Sequence, residues 1–213
     1  MPQRMVHWLF GEALIDERIQ NPDRFRIGNL LPDAYGDPAL RRTTHFVKPL
    51  ETNDGSSLRF CDFPSFTARF GDLVFGDDLY LGYVMHLLED AVTRAFWKRE
   101  NFRVPGTPEG VARLHSDYHL FNRFLVETHH LRFSACMPEG FEKERILEIC
   151  PFDLEGLLRE FEKDFSDPAE GELQILSRPL MERMIAEAVP VLKTALTDLI
   201  TENRLPEPTM YVW

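Results

Sequence analysis

Long stretches in which apolar residues recur at helical spacing alternate, along this chain, with short stretches dense in glycine, proline and polar residues. Residues 5–20 carry Trp8, Leu9, Leu14, Ile15 and Ile19 in a helical repeat that Asn21-Pro22 stops. Residues 26–38, RIGNLLPDAYGDP, are punctuated by Gly28, Pro32, Gly36 and Pro38 and read as irregular loop with a short turn of helix at most. Residues 49–60 are polar and loop-like, and 60–76, rich in phenylalanine, has room for one short helix. The strongest helix spans 79–99. It is apolar almost all round, Asp77 or Asp78 can cap its start, and Arg94, Lys98 and Arg99 suit its end, which makes it the buried central helix. Pro108 and Glu109 open a second helix over about 108–130. Segments 139–149, 153–165 and 172–203, the last bent at Pro190, complete the pattern, and no run alternates with period two long enough to make a sheet. The expectation is an all-α, single-domain, multi-helix bundle over residues 1–213. Its tail, LPEPTMYVW, leaves the last helix at two prolines, and its apolar end is expected to dock on the domain, the alternative being a partner-binding peptide of identical appearance in sequence.

Composition narrows this picture. A chain of 213 residues can bury one sizeable core, and no apolar run approaches the roughly 20 residues of a membrane-spanning helix. The N-terminal apolar stretch is broken by Gly11, Glu12, Asp16 and Glu17 and lacks a small-residue cleavage site, so a cytoplasmic location is expected. Cys61, Cys136 and Cys150 are odd in number and widely spaced, which predicts buried thiols rather than disulfides or a Cys-type zinc site. The net charge of −11, without a Lys/Arg cluster along the sequence, argues against nucleic acid or an anionic membrane as partner.

Candidate chemistry centres on His86-Leu-Leu-Glu-Asp90. Positions i and i+4 share one helix face, so imidazole and carboxylate project side by side from a core element, where they must be paired with each other or bound to a metal. His7 lies in the first apolar stretch, Asp33 in Leu31-Pro32-Asp33-Ala34, and His45 in Thr43-Thr44-His45-Phe46. Together these supply three histidines and two carboxylates, a nitrogen and oxygen set suited to zinc, manganese or iron, as one or two ions. His115 and His119 form a second i, i+4 pair with Asp117 between them, in a wetter stretch where exposed or hydrogen-bonded roles are favoured. Tyr83 and Tyr118 are either core residues or donors to a substrate oxyanion. No HExxH, His-Asp dipeptide, paired ExxH, G-x-S-x-G elbow or P-loop occurs.

These residues resemble the zinc-dependent phospholipase C family, particularly its short bacterial members. The resemblance is carried by His7, by Gly28-Asn29-Leu30-Leu31-Pro32-Asp33-Ala34, by Thr44-His45-Phe46 and by Leu81-Gly82-Tyr83-Val84-Met85-His86-Leu87-Leu88-Glu89-Asp90, and extends over about residues 1–130. It implies a helical fold like that of phospholipase C and P1 nuclease. It also implies that His7, Asp33, His45, His86 and Asp90 bind zinc, with Asp90 bridging ions or steering the nucleophilic water. The implied reaction is metal-assisted hydrolysis of a small-molecule phosphate ester. The family's third-metal set has no matched counterpart here, nor is there length for a lipid-binding second domain, so the resemblance implies the hydrolysis rather than phospholipid as substrate. The rival reading is a non-catalytic helical interaction domain with a closed structural metal or none, distinguished by whether the site faces a cleft.

Overall fold

The computed structural model describes residues 3–52, 57–103, 106–166 and 169–213, and the described residues are mostly helical. The central helix is Asp78–Arg99 (α6), capped by the Asp77 carboxylate, which accepts from Leu79 N–H. It is buried from Leu79 through Thr93, the only stretch of that length among the described residues with its whole circumference in the core. No helix among the described residues is long and apolar enough to cross a membrane. Of the three thiols expected to be buried, Cys61 and Cys150 are, but Cys136 is exposed.

Against α6 pack Arg4–Leu14 (α1), Pro22–Leu30 (α2), Phe63–Phe70 (α4), Leu73–Gly76 (α5) and Arg178–Glu202 (α9), while Pro108–His129 (α7) and Leu154–Ser166 (α8) pack on α1 and on each other and Arg41–Thr44 (α3) lies beside the turn after α2. Helix α1 ends at Leu14, earlier than the apolar repeat suggests. The Asp16 carboxylate accepts from Arg18 N–H and pairs with its guanidinium, and this local turn competes with a further helical turn.

The largest correction is α2. Residues that read as loop punctuation form a capped helix, with Asn21 accepting from Arg24 N–H and Pro22 in the first turn. Its Gly28 is a contact glycine. A Cβ there would stand 1.9 Å from the Leu79 carbonyl oxygen, and one on Gly82 would stand 2.1 Å from the Phe25 carbonyl oxygen. The two helices therefore cross with backbones touching, which carries Asn29 and, one 3₁₀ turn later, Asp33 over the middle of α6.

A hairpin is the second correction. Val47–Glu51 (β1) pairs antiparallel with Ser57–Cys61 (β2), in a register that sets Val47 opposite Cys61, although neither strand alternates clearly in sequence. The C-terminal tail explains part of its stability. Trp213 exchanges both backbone hydrogen bonds with Arg59, at 3.0 Å each, adding a short third rung. The tail thus docks on its own domain.

Segment 139–149 contains two 3₁₀ turns rather than an α-helix, Phe141–Lys143 and Arg145–Glu148, separated by an extended Glu144. That carboxylate reaches Arg24 at 2.8 Å and accepts from the Tyr80 hydroxyl. Helix α9 begins at Arg178, not 172, and runs through Pro190. The preceding N–H groups of Gln174, Ile175 and Leu176 all donate to the buried Asp117 carboxylate (2.7–2.8 Å), so they are unavailable for a helical start.

Candidate metal centre

Four elements bring the expected ligands together. His7 comes from α1, His86 and Asp90 from adjacent turns of α6, and His45 from the end of α3. Asp33 ends the 3₁₀ turn after α2. The Tyr83 hydroxyl donates to the Thr44 carbonyl (2.6 Å), tying α3 to α6, so its polar end serves packing and not a substrate. His7, His45, His86 and Asp90 are fully buried, while the Asp33 side chain keeps 13% of its surface exposed.

Each histidine is oriented from behind. His7 Nδ1–H donates to Glu89 Oε2 at 2.7 Å, His86 Nδ1–H to the Asn29 carbonyl at 2.7 Å, and His45 Nδ1–H to the Arg41 carbonyl at 2.9 Å. With the three imidazoles neutral, as metal ligands must be, each Nδ1 carries the hydrogen toward its acceptor and each Nε2 is left with a lone pair aimed inward. His86 Nε2 and His45 Nε2 then face one another at 3.3 Å, and His45 Nε2 lies 3.2 Å from Asp33 Oδ1. Lone pairs so opposed repel unless a cation stands among them. Two ligands each about 2.0–2.1 Å from a tetrahedral divalent ion stand about 3.3 Å apart, which the observed separations match. The facing atoms His7 Nε2 and Asp90 Oδ1, 3.7 Å apart, are buried without a hydrogen-bond partner among the described residues.

Two overlapping triads have the ligand geometry for a metal ion, His7–Asp33–His86 and His45–His86–Asp90, with the ligand atoms of each within 4.8 Å of one another. His86 belongs to both. Asp90 Oδ2 accepts from Arg94 Nη2 at 3.1 Å, which fixes the carboxylate and leaves Oδ1 free. Three carboxylates (Asp33, Glu89, Asp90) against one guanidinium (Arg94) leave two negative charges when the imidazoles are neutral, the charge one divalent ion balances.

The titration behaviour reflects that imbalance. Burial works against charge on His7, but the Asp90 and Glu89 carboxylates beside it prevail and raise its pKa to about 10. Burial, reinforced by the charge on His7, lowers His86 to about 3. Glu89 is pushed up to about 7 by burial, against the pull of His7. Burial opposes ionisation of Asp90 and Asp33 too, yet Arg94 and the histidines hold Asp90 well below the ordinary range, and His45 with its neighbours lowers Asp33. Without metal, one proton on His7 thus stands in for part of the missing positive charge.

Glu89, Asn29 and Arg94 complete the site but were not singled out in the sequence as site residues. Glu89 had one visible signal, an acid in a helix otherwise buried all round, three residues after His86. The second histidine pair stays outside the site. His115 and His119 are exposed, the latter 3.6 Å from Asp164, and Asp117 is committed to the backbone of 174–176. No family model, curated protein or solved structure matches this chain.

Glu89 offers a sharp test of the supporting shell. Its two oxygens serve two donors, His7 Nδ1–H and Asn29 Nδ2–H (2.7 Å each), and a glutamine has one acceptor for the pair. Glu89→Gln is expected to weaken metal affinity by about 10- to 100-fold with helix content intact. Competition against a chelating dye measures it, and unchanged affinity would remove Glu89 from the site.

Proposed function

We propose that the protein is a metal-dependent hydrolase of phosphate esters, with a fold and ligand order resembling the zinc-dependent phospholipase C family. The observation that carries this reading is the position of His45, which belongs to the buried cluster and also lines a cavity of about 270 Å³. A purely structural site would be sealed by protein on every side. The partial exposure of Asp33 points the same way.

Zinc suits the nitrogen and oxygen donors best, with manganese and iron as alternatives. Bound there, a divalent ion supplies Lewis acidity and a water of lowered pKa. The chain's own residues have separate tasks. Glu89, Asn29 and Arg41 hold the three imidazoles in one tautomer and orientation, so no reorganisation is needed when charge develops. Arg94 pins Asp90 through Oδ2, and the free Oδ1 would steer the attacking water.

The test is a panel of phosphate mono- and diesters, with simple carboxyl esters for comparison, assayed with zinc, manganese and iron in turn. Turnover is expected with at least one ion, lost in His86→Ala and lowered about 100-fold or more in Asp90→Asn, which removes the charge while keeping the size. Rates no higher than those of His86→Ala with every ion would overturn the hydrolase reading.

A further inference from the structure

The cavity beside His45 has a wall of unusual charge. Arg41, Arg42, Arg59 and Arg94 all line it, together with His45 and Trp213, and no acidic side chain does. These arginines come from α3, β2 and α6, so the sequence shows no basic cluster, and the fold assembles one in a chain whose net charge is −11. Arg41, Arg42 and Arg59 form no ion pair with any described residue. Arg94 is shared. Its Nη2 holds Asp90, its Nε has no partner among the described residues, and its guanidinium lies 4.3 Å from the centre of the Trp213 ring.

Gathering four guanidinium groups around one concave space raises the potential there, and a bound anion offsets that repulsion. Guanidinium forks match phosphate oxygens in pairs, and a dianion engages more of them than a monoanion. The volume suits a small ligand, and the arginines are gathered around one concave space rather than drawn out as the stripe a nucleic-acid backbone needs.

We propose that this pocket is the phosphate-recognition subsite of the enzyme, and that the substrate is a small phosphomonoester whose dianionic group is held by Arg41, Arg42, Arg59 and Arg94 at the His45 edge of the cluster. The identification of phosphate as part of a substrate rests on the hydrolase reading; the anion pocket itself does not. Trp213, fixed by its backbone pairing with Arg59, is the flat wall against which the organic part lies.

Calorimetric titration of inorganic phosphate, with dimethyl phosphate as the monoanionic comparison, separates the two ideas. Zinc-loaded protein and the His86→Ala variant are both expected to bind phosphate, and both to prefer it to dimethyl phosphate. Arg42→Gln combined with Arg59→Gln should weaken phosphate binding about tenfold or more in either background, without changing zinc content. The corresponding lysine pair, which keeps charge but loses the fork, should fall between. Both arginines are exposed, and thermal melts of each variant check that the fold is kept. In turnover, the glutamine pair should raise KM for a phosphomonoester far more than it lowers kcat. If no ester is hydrolysed yet phosphate binding and its arginine dependence persist, the hydrolase reading falls and the pocket stands. Phosphate binding that vanishes with the metal and ignores the arginines, or no binding at millimolar phosphate, overturns the pocket.

Discussion

Stripping the zinc-loaded protein with a strong chelator is expected to lower its thermal midpoint by about 8–16 °C. The ligands sit on α1, α3, α6 and the turn after α2, so only the native chain brings them together and the ion stabilises that state by mass action. Free ion at a thousand times its Kd contributes about 4.1 kcal/mol. For a chain of this size each kcal/mol moves the midpoint by about 2–4 °C, which gives the stated range. His86 is the informative position because it belongs to both triads. In His86→Ala the difference between loaded and stripped protein should vanish, whatever the variant's own stability. An unchanged midpoint in wild-type protein shown by mass spectrometry to have gained and lost its ion would sink the metal site.

That His86 and Asp90 belong to one buried cluster was legible in the sequence for a simple reason. His86 and Asp90 lie one turn apart on a helix whose apolar continuity marks it as buried, and a buried imidazole beside a buried carboxylate demands a partner. His7, Asp33 and His45 were legible only through their order along the chain. What holds them was not. Asn29 acts through its backbone carbonyl as well as its side chain, and carbonyl placement depends on α2, which Gly28 and Pro32 disguise as loop. The four arginines of the cavity come from three separate elements, and no local window of sequence contains them together. The hairpin escaped for another reason. Its strands are five residues long, and one draws its last hydrogen bonds from Trp213, more than a hundred and fifty residues away. In each case the decisive contact is long-range, and local propensity carries no trace of it.

The same crossing that hid α2 sets the severest demand on the fold. Gly82→Ala is expected to destabilise the protein by about 3 kcal/mol or more, although in an isolated helix the change would stabilise by about 1 kcal/mol. The added Cβ would lie 2.1 Å from the Phe25 carbonyl oxygen and 2.9 Å from Asn29 N, both backbone atoms that no rotamer change can move. Only separation of the helices relieves the clash, and that separation costs twice. It opens the core around Phe25 and Leu79, both fully buried, and it draws the Asn29 carbonyl away from His86 Nδ1, which it now meets at 2.7 Å. Against a total stability of about 5–15 kcal/mol, the loss leaves a marginal protein. Its surviving folded fraction should bind metal more weakly than wild type, because His86 loses the acceptor that fixes its tautomer. Gly76→Ala is the control. It also lies in a helix, but a Cβ there meets nothing within 4 Å, so its effect should stay within about 1 kcal/mol of wild type. Denaturant melts of the three proteins in matched zinc-free buffer decide the matter, and equal midpoints for Gly82→Ala and Gly76→Ala would show that the α2–α6 crossing can yield.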